Sequence, residues 1–339
     1  MRSLLLQRFS HFALERTRPA RLVAAACSLA LASGGLFFLE GCSRRPNTAA
    51  QQQAGQTRPR VAGNENNNGM TNEPKTGAPA PFYAAFEKSL ARRGLRPEAV
   101  CDPNDAVARR ILEDYGAMFV ASQTVLPPPT CIFKSEGEVT NFQQRAGFSA
   151  AEIEGATIEL QPAAMKALLE AREEAQAEGL DITPRGGTEA ARRNYDDTRR
   201  LWDTRFLPAL KYWQEQGKLS EEEVARLKAL PLHEQVREVL ELEKNGIYFS
   251  QDLSKSILYS IAAPGTSQHI AMLALDVTEF ADARVRKVLA RHGWFQTVKS
   301  DLPHFTYLGV SEAELPSLGL HSVMSGEQEF WIPDVEQQG

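Results

Sequence analysis

The chain has 339 residues, enough for one large domain or two small ones with a sizeable core. Apolar residues make up 42% of it and charged residues 24%, an ordinary globular composition that excludes wholesale disorder, collagen-like repeats and a multi-span membrane protein. The formal net charge of -5 leaves no broad basic field, so we expect no nucleic-acid partner.

The first 41 residues have the organisation of a secretion signal. Five arginines and one acid lie within residues 1–21, an uncharged stretch covers residues 22–39, and Cys42 directly follows Gly41. A cysteine at this place resembles the lipobox of bacterial lipoproteins, which implies cleavage before Cys42 and a lipid on its sulfur. The alternative is an uncleaved transmembrane anchor, since 18 uncharged residues are just long enough to span a bilayer. Both alternatives predict a membrane-anchored protein of the periplasm or cell envelope.

A flexible tether is predicted over residues 42–81. This segment is rich in Asn, Gln, Gly, Pro, Thr and Ala, and it has too little apolar surface to offset the entropy lost on ordering. We expect the folded part to begin near Phe82, with an N-terminal α/β accessory region over residues 82–156 and a second domain over residues 157–339.

The spacing of apolar residues predicts a helix-rich chain with short strands, which is typical of the α+β class. In chain order we expect a helix over residues 82–95, a helix capped by residues 102–105 and ending at Tyr115, strands over 118–125 and 131–133, a helix over 163–178, a strand over 180–183, a long helical stretch over 189–215, and two helices across 220–244 separated near Pro231.

Two cysteines, Cys101 and Cys131, lie in the predicted folded part. We expect them to form a disulfide in an oxidising compartment, where closing a loop of this length would stabilise the fold by roughly 3–4 kcal/mol. A redox-active pair is the alternative, although the chain has neither a CxxC motif nor a His or Lys beside these cysteines.

Chemistry-bearing residues concentrate in the last ninety residues, on or beside three short apolar strands. His269 precedes a predicted strand over residues 270–277, and a helix over 281–291 and strands over 294–298 and 301–307 follow. Asp276 lies in an apolar stretch, and a buried carboxylate without a partner is costly. A metal ion is the simplest partner, and alternation on the last strand allows His304 to face the same site.

Two imidazoles and one carboxylate form a suitable catalytic zinc set, because three protein ligands leave one position open for water. A general base must lie close to that water. Asp301, three residues before His304, is the candidate base.

Residues 262–309 resemble the VanY-type zinc D-alanyl-D-alanine carboxypeptidases, in the group that includes lysostaphin-like endopeptidases and the hedgehog signalling domain. The motifs are Ser267-Gln268-His269 with Asp276 seven residues after the histidine, then Gly293-Trp294-Phe295, and finally Asp301-Leu302-Pro303-His304. They are dense over about fifty residues, and no resemblance extends over residues 82–150.

The resemblance implies a hedgehog/D-Ala-D-Ala-peptidase-like fold in which a small antiparallel sheet, flanked by helices, holds one zinc ion. His269, Asp276 and His304 would be the zinc ligands, and Asp301 stands where the family has its catalytic Glu. A Gly usual between the ligands is replaced by Met272.

The resemblance also implies an arginine that binds the substrate. Arg185 is the expected residue, with Arg192 and Arg193 as rivals, and Ser267 and Trp294 are the other candidates for substrate binding. Core packing is the alternative for Trp294.

The function implied is zinc-dependent hydrolysis of peptidoglycan stem peptides, with the D-Ala-D-Ala bond as the leading candidate. Two alternatives stay open, namely an endopeptidase on the same scaffold and a zinc-containing cell-wall-binding protein without activity. The expected partners are the stem peptide and, through a lipid on Cys42, the membrane.

Overall fold

The structure is a computed structural model that describes residues 79–102 and 104–336. The predicted signal, Cys42 and nearly all of the predicted tether lie outside the described residues. Within those ranges, no helix is both long and apolar enough to cross a membrane.

Helices dominate the first two thirds of the described chain, and strands occur mainly in the last third. In chain order the elements are α1 (Pro81–Ala91), α2 (Pro97–Val100), α3 (Ala106–Tyr115), α4 (Glu136–Ala146), β1 (Ser149–Ile153), β2 (Ala156–Leu160), α5 (Pro162–Ala177), α6 (Tyr195–Glu215), α7 (Glu221–Ala229), α8 (Leu232–Lys244), β3 (Ala274–Asp276), α9 (Ala283–Arg291), β4 (Trp294–Phe295), β5 (His304–Tyr307), β6 (Leu320–Ser325) and β7 (Gln328–Pro333). Short 3₁₀ helices cover Gly116–Val120, Gly187–Ala190, Ile257–Tyr259 and Glu312–Leu318.

All strand pairs are antiparallel, and the mixture of helices with small antiparallel sheets agrees with the predicted α+β class. Strand β5 lies between β3 and β4 in a three-stranded sheet, whereas β1–β2 and β6–β7 form separate hairpins. The central sheet is the one that carries Asp276 and His304.

Local sequence signals explain where the long helices begin. Helix α6 starts with a capping box in which the Asn194 side chain accepts a hydrogen bond from Asp197 N and the Asp197 carboxylate accepts one from Asn194 N. Helix α7 starts with the same device, formed by Ser220 and Glu223. The break between α7 and α8 falls at Pro231, as the sequence predicts.

Two hydrophobic clusters hold these elements together. The larger cluster joins Phe82, Phe119 and Phe142 to Leu275 and Trp294, so side chains from both sides of residue 156 share one core. The division at residue 156 stays a prediction. The second cluster lies beneath α6–α8 and contains Trp202, Phe206, Leu227, Val239, Phe249 and Ile257.

The disulfide between Cys101 and Cys131 is present, with their Cα atoms 5.4 Å apart, and this prediction is confirmed. The strand predicted over 118–125 is wrong, because Gly116–Val120 forms a buried 3₁₀ helix. The strand predicted over 131–133 is also wrong, because its backbone amides bond to two different places, Cys131 N to Val100 O at the end of α2 and Phe133 N to Gly265 O in a turn.

The strand predicted over residues 180–183 is wrong, because these residues have no regular secondary structure and the nearest β-bridge pairs Pro184 with Val277. Elements that the sequence did not predict are helices α2 and α4 and the hairpins β1–β2 and β6–β7.

Candidate metal centre

Strand pairing places Asp276 and His304 face to face. The register of β3 against β5 sets Asp276 directly opposite His304. Residues opposite each other in an antiparallel pair project from the same face of the sheet, so both side chains point to one site. His304 is buried, with 4% of its surface exposed, and the Asp276 side chain is 13% exposed.

A compact series of turns brings His269 to the same site. The backbone amides of residues 270–272 each donate to the carbonyl three residues earlier, from Ile270 N to Ser267 O through Met272 N to His269 O. The Ser267 hydroxyl accepts a hydrogen bond from His269 N at 3.3 Å. Met272 has a positive φ of 55° at the point where the turns give way to β3. Glycine adopts this conformation most easily, so Met272 holds a backbone geometry that is unusual for a residue with a side chain.

Three ligand atoms converge within hydrogen-bond distance of one another. His269 Nε2 lies 3.1 Å from His304 Nδ1, and Asp276 Oδ1 lies 3.3 Å from His304 Nδ1 and 3.4 Å from His269 Nε2. Zinc bonds of ordinary length at a tetrahedral angle place neighbouring ligand atoms about 3.3–3.5 Å apart. The triangle therefore has the size of one face of a zinc coordination tetrahedron.

The hydrogen bonds behind the two imidazoles fix which nitrogens carry protons. His269 Nδ1 lies 2.7 Å from Ala191 O, a carbonyl that can only accept, so this nitrogen donates. His304 Nε2 lies 2.8 Å from Gln268 Oε1, and the Gln268 amide is oriented by its Nε2, which donates to Tyr115 O. His304 Nε2 therefore donates as well.

The consequence is that all three converging atoms are acceptors. His269 Nε2, His304 Nδ1 and Asp276 Oδ1 each direct a lone pair into a mostly buried space. Such an arrangement is repulsive unless a cation or an extra proton occupies the centre. The donor set of two imidazoles and one carboxylate fits zinc.

Protonation of His269 does not fill that centre at neutral pH. Burial lowers the pKa of His269 from 6.5 to about 4, and the nearby charge of Arg193 acts in the same direction. Burial alone would raise the pKa of Asp276, but His269 and His304 hold it well below its ordinary value. A neutral imidazole and an ionised carboxylate are the forms that bind metal.

Side chains outside the triad hold its members in place. Arg193 Nη2 donates to Asp276 Oδ2 at 2.8 Å, which leaves Oδ1 directed at the two imidazoles. Gln268 Oε1 also accepts a hydrogen bond from the Thr306 hydroxyl, so its carbonyl is fixed from two sides. Outer partners of this kind orient metal ligands and tune their basicity.

Two buried glutamines donate hydrogen bonds to backbone carbonyls around His269. Gln143, on α4, donates from Nε2 to Ile270 O and Arg193 O at 3.1 and 2.9 Å. Gln161, at the start of α5, donates from Nε2 to Ala271 O at 2.8 Å. Both side chains come from parts of the chain that carry no metal ligand.

A cleft of about 610 Å³ opens beside the triad. Its lining combines His269 and His304 with other polar side chains and apolar walls, namely Ser267, Gln268, Arg193, Thr198, Asp301, Leu201, Leu258, Ile261 and Val298.

Asp301 reaches this cleft on a tight turn. The turn is closed by hydrogen bonds from Asp301 N to Val298 O and from His304 N to Asp301 O. Part of the residue's surface is open to solvent, but protein atoms crowd around its carboxyl group. This desolvation raises the pKa of the carboxyl, and the charge of Asp276 adds to the rise against the opposing effect of His304. Its carboxyl makes no hydrogen bond to another side chain within the described ranges.

The other predicted site residues are placed differently. Arg185 is exposed, its guanidinium lies 5.8 Å from the centre of the Phe280 ring, and its backbone amide donates to Asp276 O. Trp294 is fully buried against Tyr307 and presents no surface to the cleft. Ser267 lines the cleft and also caps the turn at His269.

Sequence reasoning missed the part played by Gln268 and ranked Arg193 only as a rival. Gln268 occupies the variable position of the Ser-x-His motif, and its partners Tyr115 and His304 are distant in sequence. Its position between two motif residues was the only available signal.

Known proteins show only a weak similarity to this chain. No protein-family model matches the chain, and a search of curated proteins gives no match. A solved structure of a mutant vancomycin-resistance D,D-pentapeptidase VanY from a VanB-type resistance cassette, in complex with Zn(II), aligns at 13% identity with a TM-score of 0.27. The alignment covers 49% of this chain and 82% of that one. A likeness of this size carries no argument about fold or function.

Proposed function

We propose that this protein is a zinc-dependent peptidase of peptidoglycan stem peptides, with D-alanyl-D-alanine carboxypeptidase as the leading activity. The observation that carries the proposal is the triangle of acceptor atoms from His269, Asp276 and His304, with edges of 3.1–3.4 Å. The Ser-x-His, His-x6-Asp and Asp-x-x-His spacings, which resemble those of the VanY-type enzymes, support this reaction class. The cell-envelope location proposed from the lipobox-like Cys42 would bring the enzyme to this substrate.

His269, Asp276 and His304 are the residues that would hold the ion. When bound, zinc supplies a Lewis acid that polarises a carbonyl and makes water more acidic. Asp301 would accept the proton of the attacking water on its carboxylate and later deliver it to the leaving amine. Because burial raises the pKa of Asp301, the group is a stronger base than an ordinary aspartate.

A carboxypeptidase also needs a cation for the terminal carboxylate of its substrate. Arg185 is the residue expected from the sequence, and it lies near enough to Asp301 to lower the pKa of that group. Arg193 lines the cleft itself, but two of its nitrogens are already engaged by Glu189 O and Asp276 Oδ2. We retain Arg185 as the proposed carboxylate partner, with Arg193 holding the metal ligand.

Two alternative functions make different demands on the site. An endopeptidase that cuts inside the stem or a cross-bridge would need the triad and Asp301 but no clamp for a terminal carboxylate. A cell-wall-binding protein would keep the metal as a structural element and would not need Asp301 at all.

The decisive experiment measures metal content and hydrolysis in the same preparation. The mature protein is assayed for zinc by elemental analysis and then incubated with purified muropeptides, whose masses are followed. Loss of one terminal alanine supports the carboxypeptidase, and loss of a cross-link supports the endopeptidase. Bound zinc without any product supports the binding protein, and absence of zinc overturns the proposal.

Variants then test the base. We expect Asp301→Asn to keep zinc and lose hydrolysis, whereas Asp181→Asn, at an exposed turn, should keep both. Full hydrolysis by Asp301→Asn would remove Asp301 from the mechanism.

A further inference from the structure

A wide polar groove continues from the metal cleft across the protein surface. The cleft and the groove share Tyr259, Ser260 and Ser300 as lining residues, so a ligand can pass from one into the other. The groove is several times larger than the cleft, so it has room for parts of a ligand that extend beyond the triad.

Hydroxyl groups dominate the groove. Six of its lining residues are serines and two are tyrosines, and we call it the serine groove. Apolar surface is also present, because Tyr259 is 48% exposed and Leu302 is 39% exposed. Hydroxyl groups beside an exposed aromatic ring match a sugar, whose rim is polar and whose faces carry C–H groups.

The charges of the serine groove favour an anionic ligand. Lys255 and Lys299 are exposed in its lining, and the ion pairs formed by lysines within the described ranges involve other lysines. Asp252 is the acid of the lining, and its two carboxylate oxygens accept hydrogen bonds from the Ser250 and Ser254 hydroxyls at 2.6 and 2.7 Å. Both ammonium groups are therefore available to carboxylates of a ligand.

Hydrogen bonds within the protein hold residues 248–258, which form one wall of the serine groove. Trp213 Nε1 donates to Tyr248 O, the buried carboxylate of Glu243 accepts from Ile257 N, and the Tyr115 hydroxyl donates to Leu258 O. These bonds of 2.6–2.7 Å anchor an irregular segment that has little regular secondary structure of its own. A preformed wall lowers the entropy lost on binding.

We propose that the serine groove binds the uncleaved part of the substrate, and that this part is a carboxylate-bearing peptide attached to a sugar chain. The inference rests on the proposed function and deepens it, because it assigns the enzyme to polymeric, glycan-linked peptides in preference to short free ones. Lys255 and Lys299 bind carboxylates of the peptide, and Tyr259 and the hydroxyls that do not donate to Asp252 contact the sugar.

The test compares a polymer with a short peptide. The double variant Lys255→Ala/Lys299→Ala is assayed on isolated sacculi and on a free acyl-D-Ala-D-Ala tripeptide, with Lys218→Ala/Lys228→Ala as a control at exposed lysines outside the groove. We expect kcat/KM on sacculi to fall roughly three- to thirtyfold, the loss that follows from removing two exposed charge contacts. The tripeptide reaction and the control variant should not change. An equal loss on both substrates, or no loss on sacculi, overturns the inference.

Binding without turnover separates this inference from the proposed function. Co-sedimentation with sacculi is measured for the full protein and for the groove variant, with sacculi stripped of their peptides as a second probe. If the protein hydrolyses nothing but sediments with intact sacculi through these lysines, the proposed function fails and the groove stands. If hydrolysis occurs while the variant sediments like the unaltered protein, the groove fails and the function stands. Equal sedimentation with stripped sacculi would exclude the peptide carboxylates as the ligand of the lysines.

Discussion

Arg193 holds Asp276 by one carboxylate oxygen and leaves the other for the metal site. Its Nη2 donates to Oδ2 at 2.8 Å, while Oδ1 faces His269 Nε2 at 3.4 Å. The arginine side chain is 16% exposed, so water screens the pair only partly. The bond fixes the rotation of the carboxylate and determines which oxygen enters the triangle.

Replacing Arg193 should weaken metal binding more than replacing Arg185. We expect Arg193→Ala to lower zinc affinity about 10- to 100-fold, as loss of a partner behind a ligand typically does. Arg185→Ala, whose guanidinium packs on Phe280, should keep the affinity within about twofold. Competition against a chromophoric chelator measures both, and equal affinities in the two variants would contradict the assignment of Arg193.

Gln268 should act on the metal through His304. Gln268→Leu removes the acceptor of His304 Nε2 and frees the ring to change tautomer, so we expect a loss of about 10- to 100-fold in zinc affinity. Gln268→Glu retains an acceptor for His304 but loses the donor to Tyr115 O, so it should recover only part of the affinity. The visible spectrum of the Co(II)-substituted protein reports the ligand geometry, and identical spectra and affinities for all three proteins would exclude this role.

Gly265 should tolerate no side chain. Its φ is +77°, and a Cβ there would lie 2.1 Å from Phe133 O, so Gly265→Ala combines backbone strain with a clash against backbone. We expect a loss of at least about 3 kcal/mol in the free energy of unfolding. Gly246→Ala, at φ +79° with nothing within 4 Å, should cost only about 1 kcal/mol. Urea denaturation measures both, and similar losses would show that the Phe133 contact is unimportant.

The depressed pKa of His269 predicts how the metal-free protein responds to acid. The folded value of about 4 lies below the ordinary 6.5, so the unfolded chain binds more protons between these two pH values. Stability therefore falls as the pH decreases from 6.5 towards 4, by about 3 kcal/mol for the full interval.

Denaturant unfolding in the presence of a chelator at pH 7 and pH 4.5 measures the effect. The variant His269→Gln lacks this titration and should lose less stability over the same interval. An NMR titration of the imidazole gives the pKa directly, and a value near 6.5 would contradict the burial argument.

Local signals predicted the helices well. The long helices at α5 and α6, the break at Pro231 and the strand that carries His304 all follow from periodicity, caps and proline. The His269, Asp276 and His304 triad could also be predicted from the sequence. A carboxylate in an apolar strand needs a partner, and the spacing of the two histidines indicated a shared metal ion. The sequence could not give the register of β3 on β5, which sets the Asp276–His304 distance.

Other features depend on contacts that are remote in sequence. The apolar run at 116–120 suits a buried strand or a buried helix equally, and packing against α1 and α3 selects the 3₁₀ helix. The part played by Gln268 depends on Tyr115, more than 150 residues away. No local pattern encodes such a partner.

The amides of Gln143 and Gln161 set a limit on how the His269, Asp276 and His304 triad can be transplanted to another protein. Each donates a hydrogen bond to a backbone carbonyl oxygen close to His269. Without these bonds the buried oxygens of Ile270 and Ala271 would have lost a hydrogen-bond donor. Copying only His269, Asp276 and His304 onto another scaffold would therefore lose the hydrogen bonds that hold the backbone around His269. A working graft has to carry these two glutamines along with the metal-binding side chains.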